Sequence, residues 1–232
     1  MLKQINELTE DQINYRAKRI EKIAGSSHDP SKDVRHVSPC GKYMLLIEHW
    51  ERYTVGVIYR GDEVIGRVHR NYSAFPFSWA CDHPSDGHDY LVCSENYMGT
   101  TFVRLDTGER ADFKGSGWIW ADIQVSPGKT EIACAGCVWG STYSIRVFDF
   151  SEPMTPPGSP LHISPGMADE CRWNNDGSLS YGYEYEHNLV LDKPEWDETE
   201  EEWTLMEKLE EERPYSELYE YRLMDKAVWR RD

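Results

Sequence analysis

Two stretches of the chain carry residue types that could do chemistry. Cys134-Ala135-Gly136-Cys137 is a C-x-x-C pair, and Cys81-Asp82-His83-Pro84-Ser85-Asp86-Gly87-His88-Asp89 sets two histidines among three aspartates. A C-x-x-C pair works as a redox couple at a helix N-terminus, or as half of a zinc site when a second pair completes four ligands. Here the pair sits inside a strand pattern without a second pair, and strict alternation sends its two thiols to opposite faces. The expected role is structural. In the second stretch Asp82, His83, His88 and Asp89 could hold a divalent ion, but the segment is also a turn, where Asp and Ser cap backbone amides. The turn is the expected role. There is no Gly-x-Ser-x-Gly elbow and no His-Glu-x-x-His helix, and carboxylates are too plentiful for any pair to be diagnostic. The expectation is therefore no catalytic residue, no metal ligand and no cofactor, which leaves recognition.

The elements that would position recognising side chains repeat along the chain. Four turns share one phrase: Ser38-Pro39-Cys40-Gly41-Lys42, His83-Pro84-Ser85-Asp86-Gly87, Ser126-Pro127-Gly128-Lys129 and Asn174-Asn175-Asp176-Gly177-Ser178. Proline presets φ and glycine accepts a positive φ, so these are turn signals with a mechanism. Gly41, Gly87, Gly128 and Gly177 lie 46, 41 and 49 residues apart. A strand follows each turn, at 43–47, 90–93, 132–138 and 179–183, and a second follows at 54–59, 101–105, 144–150 and 218–223. A third is expected at 64–68, 110–113 and 227–230, the last after a turn at Met224-Asp225. A period of about 40–50 residues with several strands per unit marks propeller blades. The expected fold is all-β: a small β-propeller-like repeat domain of about four blades. The alternative is a β-sandwich or meander with similarly spaced turns.

Ser126–Lys129 followed by Ser144-Ile145-Arg146-Val147-Phe148-Asp149 resembles the turn and strand end of the WD-repeat propeller family, with Phe148 where that family has Trp. Val103–Glu109 is a second, weaker match. The family's Gly-His dipeptide and Trp-Asp strand end are missing, so the resemblance is to a divergent member. It implies blades at about 33–70, 77–114, 119–163 and 169–232, after an N-terminal helix and linker at 1–32. It also implies that inter-blade loops and the loops between second and third strands share one face. Those loops hold Trp50, Tyr72, Phe75, Tyr97, Trp118 and Trp139, with Trp196 in an insertion. Trp and Tyr dominate binding hot spots, so these are the expected contact residues.

Residues 1–24 read as a helix. Thr9 and Gln12 form a capping box, and Ile13, Ala17, Ile20 and Ile23 fall on one aliphatic stripe. The stripe is expected to pack on the repeat domain; the alternative is a partner or dimerisation helix. After Tyr185 the pattern breaks. Residues 189–213 carry eleven acids and three bases, a net charge of −8 out of −16 for the chain. A helix over 198–213, with Trp203, Met206 and Leu209 inward, makes this stretch an acidic insertion in the last blade. Glu200, Glu201 and Glu202 are its exposed acids and candidate contacts.

A surface this acidic repels nucleic-acid phosphates, so no direct nucleic-acid binding is expected, and a partner protein with a basic surface suits the charge. No apolar run is long enough to span a membrane, no leader opens the chain at Met1, and six cysteines in a chain of this size read as free thiols in the cytoplasm. The expected function is a non-catalytic protein-binding module using the aromatic loop face and the acidic insertion. The rival is an acidic inhibitor that fills the basic groove of a nucleic-acid or nucleotide-handling enzyme, and the third reading is an enzyme of unknown class.

Overall fold

The computed structural model describes residues 2–115, 117–168 and 170–231, with the side chains of Trp196 and Asp225 lying outside that description. The chain forms four sheets in sequence order, antiparallel except where a short N-terminal strand joins the second. The first holds β2 (Val34–Val37), β3 (Tyr43–Trp50), β4 (Tyr53–Arg60) and β5 (Glu63–Arg70). The second holds β6 (Phe77–Ala80), β7 (Tyr90–Cys93), β8 (Gly99–Arg104) and β9 (Glu109–Lys114). The third holds β10 (Trp118–Val125), β11 (Glu131–Val138), β12 (Ser144–Asp149) and β13 (His162–Ile163). The fourth is built on β15 (Leu179–Asn188), with β14 (Cys171–Trp173) on one side and β17 (Tyr219–Trp229) on the other, and β16 (Lys193–Pro194) at its far end.

Each of the repeated turns joins the first strand of a sheet to the second, and three of them are closed by a similar backbone frame, whereas in the second Gly87 N–H donates to His83 O four residues back. Ser38 N–H donates to Tyr43 O and Gly41 N–H to Ser38 O; Ser126 N–H donates to Glu131 O and Lys129 N–H to Ser126 O; Asn174 N–H donates to Ser178 O and Gly177 N–H to Asn174 O. That frame places the left-handed residue at Gly41 (φ 72°), Lys129 (φ 63°) and Gly177 (φ 81°). In the third turn the residue at positive φ is thus Lys129, one position after the glycine that the sequence pattern aligns.

The strands' burial follows from what stands on either face. β7 and β11 are apolar on both faces because each lies between two neighbouring sheets. Leu91 and Cys93 join the core shared with the first sheet, while Tyr90 and Val92 join the core shared with the third. Ile132 and Cys134 face the second sheet, and Ala133 and Ala135 face the fourth. β15 alternates instead: Leu179 and Tyr181 pack inward, and Ser180, Gly182 and Glu184 occupy the other face. Among the described residues no apolar cluster joins the fourth sheet to the first, so the stack has two ends. At the first end Ile23 packs on Val55 and Val57. At the other, Tyr221, Leu223 and Val228 of β17 stand exposed.

Close approach dictates two glycines. A Cβ on Gly136 would lie 1.9 Å from the Ile119 carbonyl oxygen, and one on Gly56 would lie 2.4 Å from the Phe75 ring. Arg70, only 1% exposed, ties three sheets together by donating to the carbonyls of Ser94 (2.8 Å) and Trp120 (3.2 Å).

Several sequence expectations are corrected. Residues 1–24 are not one helix: α1 runs Glu10–Ala24 behind the Thr9–Gln12 capping box, and β1 (Lys3–Gln4) adds in parallel to β9. Only the Ile23 end of the aliphatic stripe of α1 is packed: Ile13, Ala17 and Ile20 are exposed, and Arg19 is buried instead. The second and third strands expected in the last sheet are one strand, β17. The supposed turn at Met224-Asp225 is a bulge, in which Gly182 stands against two residues between the pairs Tyr181–Ala227 and Tyr183–Met224; a bulge absorbs an extra residue without ending the pairing. The insertion runs from β15 to Tyr219, longer than 189–213. Its helix α2 (Glu200–Glu210) starts at a Thr199–Glu202 capping box. Met206 is buried with Leu218 and Tyr219, and Leu191 and Leu209 pack beside them, but Trp203 is exposed.

Candidate functional site

The seat of α1 brings charge into the interior. Glu95, 2% exposed, sits where the chain leaves β7. It receives Arg16 Nη2 at 2.7 Å, Arg19 Nη2 at 2.9 Å and Arg110 Nη2 at 2.9 Å. Asp112 on β9 receives Arg16 at 2.8 Å, Arg110 at 2.6 Å and the Thr101 hydroxyl at 2.7 Å. Burial alone would raise the Asp112 pKa, but Arg110 and Arg16 outweigh it and hold the carboxyl below its ordinary value. For Arg19, burial prevails over Glu95 and lowers its pKa. The arginine surplus also reaches His69: burial first, then Arg19 and Arg110, push its pKa down to about 4. Each partner in this cluster is costly to lose, because a buried charge left alone has no solvent to screen it.

That seat fixes the end of the molecule where inter-sheet links and second-to-third strand loops meet. Asn71 in the β5–β6 link accepts the Tyr97 N–H at 2.9 Å and donates to the Tyr15 hydroxyl of α1 at 2.7 Å. Tyr72 packs on Tyr97 with ring centroids 5.1 Å apart, and Tyr97 on Trp139 at 5.6 Å. Three loops from three sheets thus build one aromatic surface. Trp139 is 73% exposed, with Tyr72 and Met98 exposed beside it. Tyr97 also lines a cavity of about 560 Å³ between α1 and the loops, together with Gln12, Tyr15, Lys18, Asn71 and Asn96. A groove of that size beside exposed rings suits insertion of a partner's side chain.

Of the expected contact residues, Tyr72, Tyr97 and Trp139 come together here. Phe75 and Trp118 do not serve as surface: Phe75 packs into the core between the first two sheets, and Trp118 is 4% exposed beneath the Arg146 guanidinium, whose carbon is 3.8 Å from the ring centroid. Phe75 stands in the β5–β6 link and Trp118 opens β10, and both rings are drawn into the sheet cores. Trp50 stacks on His28 at 4.7 Å, and among the described residues no ring contact connects it to the Tyr72–Trp139 surface. The side chain of Trp196 lies outside the described residues. Glu200 and Glu201 are exposed on the first turn of α2. Glu202 is spent on structure: its carboxylate closes the capping box and pairs with Lys193, and these bonds, the Lys193 contact first, lower its pKa to about 2. Glu195, Glu198 and Glu200 line a separate cavity with Trp203. Burial and the neighbouring Glu186 raise the Glu195 pKa. Sequence reasoning missed Asn71, Glu95, Arg16 and Arg19, whose partners lie 26–96 residues away in the chain; the buried face of α1, charged where an amphipathic helix is apolar, was the one available signal.

Three of the four side chains of the acid–histidine turn have separate partners. His83 is buried against the Phe150 carbonyl and Ser85, His88 pairs with Asp106, and Asp89 takes the Asp82 N–H. Cys134 and Cys137 lie in β11, opposite Arg146 and Ile119 respectively, and burial raises both thiol pKa values.

No protein-family model matches the chain. Over 166 residues it is 31% identical to the uncharacterized protein R762 of Acanthamoeba polyphaga mimivirus, a match that spans 63% of this chain and 65% of that protein. Among solved structures it is similar to a chain of the Chaetomium thermophilum Polycomb Repressive Complex 2 bound to GSK126. That likeness has 17% identity and a TM-score of 0.43, over 70% of this chain and 39% of the other.

Proposed function

We propose that this chain is a non-catalytic protein-binding module, built as an open, divergent propeller-like array of four blades and presenting its loop end to a partner protein. The observation that carries the reading is the contiguous surface of Tyr72, Tyr97 and Trp139, contributed by three successive sheets and bordered by a cavity. A ring as exposed as Trp139 gains most from being covered, and rigid loops present it at low entropic cost. The repeated turn frame and the meander order of each sheet support the blade reading. The net charge of −16 and the acids of α2 suit a partner with a basic surface, where charge steers the encounter and the aromatic surface supplies the residence time. Six free thiols suit a reducing compartment.

The test compares affinity capture by the wild-type chain with capture by the double variant Tyr72→Ala/Trp139→Ala. Loss of the same partner, with unchanged circular dichroism and a complex that survives high salt, is the expected result. Undiminished capture by the double variant would sink the proposal. A complex lost in salt and abolished by Glu200→Lys/Glu201→Lys would hand the function to the acidic helix instead.

A further inference from the structure

The β2–β3 turn and the end of β6 bring two thiols and a carboxylate to one point. Cys40 Sγ, Cys81 Sγ and a carboxylate oxygen of Asp89 all lie within 4.8 Å of one another. Cys40 belongs to the first sheet's turn; Cys81 directly follows β6 and Asp89 directly precedes β7 in the second sheet. We propose that these three residues form a binding site for a thiophilic divalent cation, zinc above all, which clamps the first sheet to the second.

The donor set and spacing carry the inference. Zinc takes sulfur at about 2.3 Å and carboxylate oxygen at about 2.0–2.2 Å, so tetrahedral ligands stand roughly 3.5–3.8 Å apart. The three atoms here need only a small contraction to reach that spacing. Two thiolates with one carboxylate select zinc over magnesium or calcium, which prefer all-oxygen sites. On binding, each thiol releases its proton to solvent and its sulfur lone pair becomes the metal bond; no electrons are transferred. Three protein ligands leave the fourth position to water.

The surroundings are already arranged as an outer shell. Asp89 is 3% exposed and accepts the Asp82 N–H at 2.8 Å on one oxygen. The Lys42 ammonium sits on the other at 2.9 Å, and its side chain is 61% exposed. Ser38 Oγ is 3.3 Å from Cys40 Sγ. Lys42 pairs with the carboxylate that the cation would take and, being exposed, can swing out into solvent, whereas the Asp82 amide stays and orients the carboxylate, as partners behind metal ligands do. The sequence expectation of no metal rested on local spacing, and Cys40 and Cys81 are too far apart in the chain for any local motif to show them.

The experiment uses the full chain, stripped with chelator under reducing conditions and then given zinc. Equilibrium dialysis should find one zinc per chain. Iodoacetamide labelling followed by mass spectrometry should show Cys40 and Cys81 protected by zinc and Cys137 unaffected. Cobalt(II) should give the intense near-ultraviolet charge-transfer band of thiolate ligation, absent in Cys40→Ser and in Cys81→Ser. Lys42→Ala, which removes the competing cation, should tighten zinc binding several-fold. Zinc that fails to protect the two thiols in the wild-type chain overturns the proposal, with no dependence on whether a variant folds. So does binding that persists in Cys40→Ser/Cys81→Ser, or a Cys40–Cys81 disulfide that forms equally fast with zinc present.

Discussion

The two helices begin alike and are seated in opposite ways. α1 and α2 each start at a threonine capping box, Thr9–Gln12 and Thr199–Glu202. α2 turns Met206 inward and its acids outward, as an amphipathic helix on a surface does. α1 turns Arg16 and Arg19 inward onto Glu95 and Asp112 and leaves Ile13 and Ile20 in solvent. Local capping therefore decides where a helix starts, but the partner surface decides which face it buries. Ion pairs with fixed geometry make the seat of α1 specific, since removal of one member leaves the others buried without a counter-charge; the apolar seat of α2 tolerates changes of shape better.

The sharpest way to break this contrast is Glu95→Gln. It leaves three arginines around a neutral amide, and the expected loss is about 3–5 kcal/mol, a large share of a typical domain's stability of about 5–15 kcal/mol. Urea denaturation followed by fluorescence measures it, and a loss below about 1 kcal/mol would show that water screens the cluster. In α2 the corresponding change is Met206→Ala, expected to cost about 2–4 kcal/mol through the cavity left beside Leu218 and Tyr219. The neighbouring Trp203→Ala, on an exposed ring, should stay within about 0.5 kcal/mol. Equal effects at the two positions would mean that α2 is not docked through Met206.

Acid separates the seats further. His69 has a folded pKa of about 4, below its unfolded value of 6.5. The unfolded chain therefore binds a proton first as pH falls, and stability present above pH 6.5 drains away between 6.5 and about 4. Asp112, also depressed in the folded state, adds a further loss as pH falls below its ordinary value of 3.8. Melting temperatures of wild type and His69→Gln across this range should converge toward acid, and parallel curves would remove His69 from the account. The smallest expected change is a gain. Lys129 holds φ 63° in the third turn where Gly41 and Gly177 stand in the first and fourth, and an L-residue there costs roughly 1–2 kcal/mol. Part of that cost returns in the flexibility that glycine adds to the unfolded chain. Lys129→Gly should therefore stabilise by under about 1 kcal/mol, detectable as a small rise in melting temperature.

What the sequence made legible was local or periodic. The repeated turns, the apolar strands that follow them and the Thr9–Gln12 capping box all act over a few residues, and all appear in the fold. The charged seat of α1 depends on residues brought together from α1, β7 and β9, and no period announces it. The bulge in β17 reads as a turn because Met224-Asp225-Lys226 interrupts the alternation, and an interruption has the same signature whether the strand ends or merely gains a residue. In the aromatic surface the residue types were legible but not their exposure: Phe75 stands in the same link as Tyr72 yet its ring packs into the core, and Trp118, expected in a loop, opens β10 with its ring buried.

The stack's two unlike ends bear on how the molecule comes apart. Among the described residues each apolar core between sheets joins neighbours in the chain, with Arg70 adding a direct tie from the first sheet to the third, so cooperativity passes largely along a line, as in linear repeat arrays. The fourth sheet has one packed face and the inner sheets have two. Opening should therefore start at β17 and β15 and travel inward, and amide hydrogen exchange should show a gradient of protection: fastest in the fourth sheet, slowest in β7 and β11.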